Sequence, residues 1–322
     1  MFWIVRALWG DMTRQEFKKF GILSISMMLI IGNYWMLRVT KDGLFDMFVG
    51  YRQWQPVVKM LSIVVMVFVA LGYSKLVDLL SRQRLIYLLC FIYGTSFLLM
   101  SYAIANPSAV TLSETSPLLP YFSWIPGKAI GWVSYLLLES YGSLLIAVFY
   151  SFVASVITTG SAKKGWGMLA SIIQMGTISG ILISMFYVPK LGLQAVYLIG
   201  GFLVFLAPFV IKFYLSQFPE DIESAKQTGG KKKTGFFEGL RLIATTPYIM
   251  GVFVVVTFYE IMSTIVEYQM GWIASGMYTP EQFTVFKGYQ GLGINFVALF
   301  FALVGTSFFM RKYGLKFCLM AF

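Results

Sequence analysis

Eight stretches of this chain are each apolar and long enough to cross the hydrocarbon core of a bilayer. A helix needs about 20 predominantly apolar residues to do so. The stretches run over approximately 20–37, 55–79, 85–105, 130–157, 166–187, 191–215, 248–272 and 284–310, and a ninth begins at Phe317. In lipid every backbone polar group must be satisfied within its own segment, so such runs fold as helices. Composition supports the same reading. Apolar residues make up 58% of the chain and charged residues 12%, about half the usual share in soluble domains. Thirty Phe, nineteen Tyr and eight Trp suit a lipid-facing surface with aromatic belts at its edges. The expected class is an all-α polytopic membrane protein. The sequence stops at Phe322 inside an apolar stretch, from which a truncated form of a longer protein is expected.

The net charge of +11 comes from 25 Lys+Arg against 14 Asp+Glu. In a soluble chain this excess would suggest nucleic acid. Here the basic residues collect in alternate loops, so the excess reads as topology, with the lipid bilayer as partner and no nucleic acid. With the N-terminus in the cytoplasm, eighteen of the 25 fall on inner segments and seven on outer ones: Arg38, Lys41, Arg52, Lys59, Lys128, Lys190 and Lys287. Such a bias obeys the positive-inside rule. The first twenty residues carry Arg6, Arg14, Lys18 and Lys19 with no cleavage site after the first apolar run, so a retained first helix is expected. The expected location is multi-pass in a membrane, with the N-terminus on the cytoplasmic side.

There is no His, which removes imidazole bases, His metal ligands and His proton relays. Cys90 and Cys318 both lie in apolar runs and make neither a disulfide framework nor a zinc site. No nucleophile–base pair is available, so neither an enzyme nor a bound cofactor is expected.

After the sixth apolar run comes a polar stretch, roughly 218–247, containing Pro219, Glu220, Asp221, Glu223 and the run Gly229-Gly230-Lys231-Lys232-Lys233-Thr234. It is too polar to pack a core and reads as a solvated linker. The run is a poor phosphate-binding loop, because the motif's first Gly is missing and no strand precedes it. The expected organisation is a six-helix N-terminal bundle over 1–217, a cytoplasmic linker over 218–247, and a partial C-terminal bundle over 248–322. That is the two-half plan of major facilitators, with substrate held near the midplane between halves. Gly72, Asp78, Arg82 and Arg84 resemble a loose form of the charged loop of those carriers, although positive-inside bias accounts for the two Arg equally well.

An ionisable group inside a span is costly unless it faces a cavity or a partner, so such groups are functional candidates. Three places stand out. Arg38, Lys41 and Asp42 sit at the expected outer end of the first span. Arg38 and Lys41 share a face if the helix continues, and two cations there would suit a phosphate-bearing solute; alternatively they snorkel at the interface, with Lys41 neutralised by Asp42. Glu139 lies deep in the fourth span, in a stripe with Tyr135 and Ser143 at four-residue spacing. It is either a buried ion-pair member or a cavity acid that pairs with Lys41 or binds a cation or proton. The seventh span carries Glu260, Ser263, Thr264 and Glu267, a wet stripe suited to a translocation path or to a gate. Gln174 and Thr177 in the fifth span are further cavity candidates, Asn295 in the eighth is a cavity residue or an interhelical bridge, and Gly176 with Gly180 suits close helix packing. Spans two, three, five and six are expected to offer no Lys or Arg at mid-depth. Fixed cationic partners for Glu139 and Glu267 should then be scarce, and both acids should face one central cavity.

Several of these segments resemble a family. Tyr34-Trp-Met-Leu-Arg38-Val-Thr-Lys41-Asp42-Gly-Leu44 is similar to the Leu-Arg-x-x-Lys-Asp segment of the nucleotide translocases of intracellular bacteria and plastids. Glu139-Ser-Tyr-Gly142-Ser143 resembles their Glu-x-Trp-Gly-Ser segment, and is followed by Ala162-Lys163 and a Gly-rich fifth span. Ile265-Val266-Glu267-Tyr268 resembles their Leu-Val-Glu-Val, and Lys312-Tyr313-Gly314 their Lys-Tyr-Gly. Order and spacing agree over nearly the whole chain. The resemblance implies a twelve-helix, major-facilitator-like exchanger, often of ATP against ADP, with functional charges at Lys41, Glu139 and Glu267. A further family Lys would fall beyond Phe322. Two positions depart from the pattern: the segment's Trp is Tyr141, and the Lys that usually follows the helix-seven Glu is missing among Gln269, Met270, Gly271 and Trp272. The expected function is nucleotide exchange by alternating access. Alternatives are a related carrier of a less anionic solute, proton-coupled through Glu139 or Glu267, and a truncated membrane scaffold that transports nothing.

Overall fold

A computed structural model describes residues 12–110, 125–157, 159–222 and 236–301. Eight long helices make up most of them: α1 (Arg14–Phe48), α2 (Tyr51–Leu79), α3 (Arg82–Ala105), α4 (Ala129–Val156), α5 (Thr159–Leu191), α6 (Leu193–Gln217), α7 (Pro247–Ala274) and α8 (Pro280–Phe300). Two shorter helices, Pro107–Val110 and Phe236–Thr245, and a 3-10 turn at Pro219–Asp221 complete the described secondary structure. Seven of the helices, α1 to α7, contain a window long and apolar enough to cross a membrane. The eighth expected span, 284–310, is helical as far as it is described. The linker run 229–234, the Lys312–Gly314 segment, Cys318 and the expected ninth run lie outside the described residues.

Local signals start and stop these helices. Thr13 and Glu16 form a reciprocal capping box at the start of α1, as do Thr279 and Gln282 at α8, where Pro280 occupies the first turn. Gly50, at φ 106°, turns the chain between α1 and α2, and Gly192, at φ 79°, does so between α5 and α6. Only glycine takes such angles without strain.

The first helix corrects an expectation. The apolar run read as 20–37 belongs to a helix of 35 residues ending at Phe48. Arg38, Lys41 and Asp42 therefore lie within α1 rather than at its outer end. Hydropathy falls off at charged residues, but nothing there breaks the helix, and the tertiary fold supplies partners for the charges. Lys59 and Lys287, counted on the outer side although the runs 55–79 and 284–310 contain them, fall inside α2 and α8.

Helix α1 is the axis of the assembly. It packs against α2, α4, α5, α6 and α8, and its buried residues, from Phe20 to Phe45, occur all round it, as expected of a helix enclosed by neighbours. Its tightest crossing is with α5. A Cβ on Gly180 would overlap the Gly32 carbonyl oxygen, and one on Gly32 would lie 2.7 Å from the Gly176 carbonyl oxygen. The Gly176/Gly180 pair thus has the packing role that small residues take in membrane helix pairs. Outward faces are apolar: Met60 and Phe68 of α2, Phe209 of α6 and Phe258 of α7 are all exposed. Asn33, Thr40, Lys41, Asp42 and Lys287 are buried. Polar inside and apolar outside is the distribution lipid demands.

At the end of the bundle near Phe48, an aromatic cluster joins α7 and α8 to the first helices. Phe45, Tyr51, Trp132, Tyr135 and Phe283 pack together there. Tyr51 stacks on Tyr268, Arg52 Nε donates to the Trp272 carbonyl at 2.8 Å, and the Tyr268 hydroxyl donates to the Arg52 carbonyl at 3.1 Å. Away from this end α7 is largely exposed. At the opposite end Lys19 Nζ lies 2.7 Å from Asp221 Oδ2, and the Tyr214 hydroxyl donates to the same oxygen at 2.6 Å. The start of α1 is thereby tied to the segment that follows α6.

Candidate functional site

Four helices bring their polar stripes to one enclosed space. Tyr34, Arg38, Lys41 and Asp42 come from α1, and Tyr51, Gln55 and Lys59 from α2. Tyr135 and Glu139 come from α4, and Glu260, Thr264 and Glu267 from α7. Each set is spaced by three or four residues, which places it on one helix face. The space has a volume of about 210 Å³. A second cavity of about 360 Å³ lies between α1, α7 and α8; it shares Arg38, Asp42 and Glu267 with the first and adds Ser263, Lys287 and Gln290.

The charges in this region are paired across helices. Lys41 Nζ lies 2.5 Å from Glu139 Oε1 and 4.1 Å from the centre of the Tyr135 ring. Lys59 Nζ approaches the same carboxylate at 3.3 Å. Glu267 lies between Arg38, at 3.4 Å, and Lys287, also at 3.4 Å. Lys287 in turn holds Asp42 at 3.0 Å. Arg38 keeps its guanidinium 4.9 Å from the Trp35 ring centre, a cation–π contact. The network thus links α1 to α2, α4, α7 and α8 with four cations, Arg38, Lys41, Lys59 and Lys287. Lys41–Glu139 and Lys287–Asp42 are the close contacts of the network, and the attraction between such charges matters most where water is scarce.

Eight of the residues singled out in the sequence line the smaller cavity: Arg38, Lys41, Asp42, Tyr135, Glu139, Glu260, Thr264 and Glu267. Glu139 and Glu267 share it although they lie in distant segments. Gln174 and Asn295 do not join them. Thr177 bonds both, at 3.1 Å to Gln174 Oε1 and 2.9 Å to Asn295 Oδ1, so this group bridges α5 and α8. Ser143 is exposed. Lys41 pairs with Glu139, and Asp42 pairs with Lys287 rather than with Lys41.

Two residues are additions. Lys59 and Lys287 were counted as outer-loop charges, and the expected scarcity of cationic partners for the acids is wrong: Glu139 has Lys41 and Lys59, and Glu267 has Arg38 and Lys287. The error came from counting both with the outer segments although the apolar runs 55–79 and 284–310 contain them. The spacing Tyr51, Gln55, Lys59 is a polar stripe that periodicity could have revealed in α2. For Lys287 the only local hint is Gln290 one turn away.

Comparison with known proteins follows the same segments. The model of the TLC ATP/ADP transporter family matches residues 2–320. The chain is 23% identical over 332 residues to ADP,ATP carrier protein 1 of Rickettsia prowazekii (strain Madrid E), covering 96% of this chain and 66% of that protein. It is 24% identical over 335 residues to the protein of the same name from Rickettsia bellii (strain RML369-C), covering 95% and 66%. It is 25% identical over 334 residues to ADP,ATP carrier protein 1, chloroplastic, of Arabidopsis thaliana, covering 92% and 51%. The chain therefore spans just under two thirds of the length of the Rickettsia relatives and about half that of the plant protein. No solved structure matches it. A family match that runs through every membrane-length helix and through all the paired charges between them means that this chain belongs to the TLC ATP/ADP transporter family.

Proposed function

We propose that this chain forms the greater part of a carrier that exchanges nucleotides across a bacterial inner membrane by alternating access, with the N-terminus in the cytoplasm. The observation that carries the reading is the pair of adjoining charged cavities, the smaller lined by Arg38, Lys41 and Lys59 and the larger by Arg38 and Lys287, from α1, α2 and α8. Lysine and arginine at such a site suit the phosphates of a nucleotide, and charged groups at mid-membrane are retained where a substrate path needs them. The names of the relatives, which are ADP,ATP carriers in Rickettsia and in a plastid, support the same substrate class. In the two-half plan, residues 1–217 form the first half, 218–247 the linker and 248–322 the start of the second half. The cavity lies where α7 and α8 of the second half meet α1, α2 and α4 of the first. The aromatic cluster at the Phe48 end then serves as the closed outer gate, with the other end leading to the cytoplasm.

One observation favours a second reading. The cavity cations are matched by the acids Asp42, Glu139, Glu260 and Glu267, and no Lys stands in the four residues after Tyr268. Such balance suits a less anionic solute than ATP. The test is uptake of labelled ATP, ADP, AMP and uncharged nucleosides by proteoliposomes loaded with ADP, using protein from the open reading frame that contains this chain. Uptake of ATP that requires ADP inside supports the exchanger. Uptake of a nucleoside alone, driven by a pH gradient, favours the second reading, and no uptake of any of them removes both.

A further inference from the structure

A groove on the outside of the bundle lies apart from both charged cavities. It runs between the end of α5 and the start of α8, has a volume of about 320 Å³, and is lined chiefly by Pro189, Tyr278, Glu281, Val285, Phe286 and Tyr289. A Cβ on Gly43 would lie 2.5 Å from the Pro280 carbonyl oxygen, so α8 begins beside the last turns of α1, and α5 ends at Leu191. The groove is therefore at the level where membrane helices end, which is the level of lipid headgroups. Glu281, Val285 and Tyr289 are four residues apart and share one face of α8. Along that face the acid comes first, at the helix end, and the apolar groups follow one and two turns deeper. Helix α5 repeats this order from its own end: Lys190 stands in its last turn, with Nζ 3.5 Å from the centre of the Phe186 ring one turn deeper. Pro189, Lys190, Tyr278 and Tyr289 are exposed, so the groove opens outward. Among the described residues neither Lys190 nor Glu281 enters an ion pair.

We propose that this groove binds a phospholipid with a primary-amine headgroup, a phosphatidylethanolamine. Lys190 takes its phosphate, Glu281 takes its ammonium group, and an acyl chain lies along Val285, Phe286 and Tyr289. An apolar groove by itself would accept the chain of any lipid, with a gain from the surface it covers. The two unpaired charges of opposite sign select the headgroup. A lysine ammonium attracts phosphate as a point charge, and a carboxylate accepts charge-assisted hydrogen bonds from a primary ammonium. A choline headgroup has no N–H to donate to Glu281. A glycerol headgroup leaves the phosphate's negative charge uncompensated beside the acid. Both charges stand at the helix ends, where long side chains reach water when no lipid is present, so the empty groove carries no buried, unpaired ion.

The test is lipid retention by protein made from the open reading frame that contains this chain, so that any residues beyond Phe322 compete for the groove. Native mass spectrometry would follow the detergent-solubilised protein with added phosphatidylethanolamine, phosphatidylcholine or phosphatidylglycerol. Wild type should retain the ethanolamine lipid severalfold more than the other two. Glu281→Gln should remove that preference, and Lys190→Gln should lower retention of all three. An acid that only favoured the positive end of α8 would change stability in Glu281→Gln and leave the headgroup preference intact. Val285→Trp fills the groove and should lower retention, whereas Phe209→Trp, on the exposed face of α6, should not. None of these readouts requires transport, so the site is tested apart from the carrier reading. Equal retention of the three lipids by wild type, the result expected if further helices of the chain fill the groove, would overturn the assignment. So would a preference that survives Glu281→Gln, or retention unchanged in Val285→Trp.

Discussion

At the scale of single residues, the charges of this protein act as pairs, and a pair responds to substitution differently from either member. Lys287 is the clearest case. It is buried on α8 and reaches Asp42 on α1 at 3.0 Å, with side-chain exposures of 4% and 6%. Removing one member of such a pair leaves an uncompensated charge away from water, at a cost of about 3–5 kcal/mol, whereas replacing both with apolar groups is often neutral. Lys287→Met should therefore lower the thermal stability of the detergent-solubilised protein sharply. Lys287→Met/Asp42→Leu should recover most of the loss, since Glu267 retains Arg38 at 3.4 Å. Equal melting of Lys287→Met and wild type would mean that this pair does not hold α8 to α1. The family pattern led to Lys41, Glu139 and Glu267 but not to Lys59 and Lys287, because a carboxylate's partner in space leaves no mark on its neighbours in sequence.

At the scale of elements, the helices were legible and their contacts were not. Apolar runs located α2, α3, α4, α6 and α7 nearly to their ends, since each coincides with a window of membrane-spanning hydropathy. The run for α1 stopped short at Arg38, and that for α5 began at 166 although the helix starts at Thr159. In both places the helix continues through polar residues that hydropathy discounts. The α1–α5 crossing shows what spacing can reveal. Gly176 and Gly180 flagged a close approach, and the structure supplies Gly32 as the partner. Gly180→Leu would drive a side chain into the Gly32 backbone, which cannot move without displacing α1 from its other neighbours. We expect that variant to lose its monodisperse size-exclusion peak. Gly72→Leu, at a site with nothing within 4 Å of a new Cβ, should elute as wild type, within the roughly 0.5 kcal/mol typical of uninvolved positions. A well-behaved Gly180→Leu would show that the two helices cross elsewhere.

At the scale of the whole molecule, the charge distribution favours one orientation. Four of the seven basic residues first assigned to the outer side, Arg38, Lys41, Lys59 and Lys287, lie in the paired network. Only Arg52, Lys128 and Lys190 then remain to set against eighteen on the inner segments. The bias for a cytoplasmic N-terminus is stronger than the raw count, because residues inside the bundle do not enter the positive-inside rule. In intact cells a membrane-impermeant thiol reagent should reach a cysteine at position 114 and miss one at position 229. Labelling at 229 without permeabilisation would reverse the orientation.

What the amino-acid sequence determined by itself was the solvent and the class. Runs of about 20 apolar residues leave the chain no alternative to a bilayer, and a backbone in lipid has no alternative to helix here, so an all-α polytopic protein follows from local chemistry alone. Spacing also put Arg38 near Lys41, and Glu260 in line with Glu267, because one helix face is a local property. Only the tertiary structure decided which face meets which. It set Lys59 of α2 against Glu139 of α4, 80 residues apart, and Arg38 against Glu267, 229 residues apart. It also sorted Gln174 and Asn295 into a bridge outside the cavity. Pairings of that kind depend on how α1 is enclosed by five neighbours at once, and the packing of backbones across glycine and aromatic contacts is specified by no single segment.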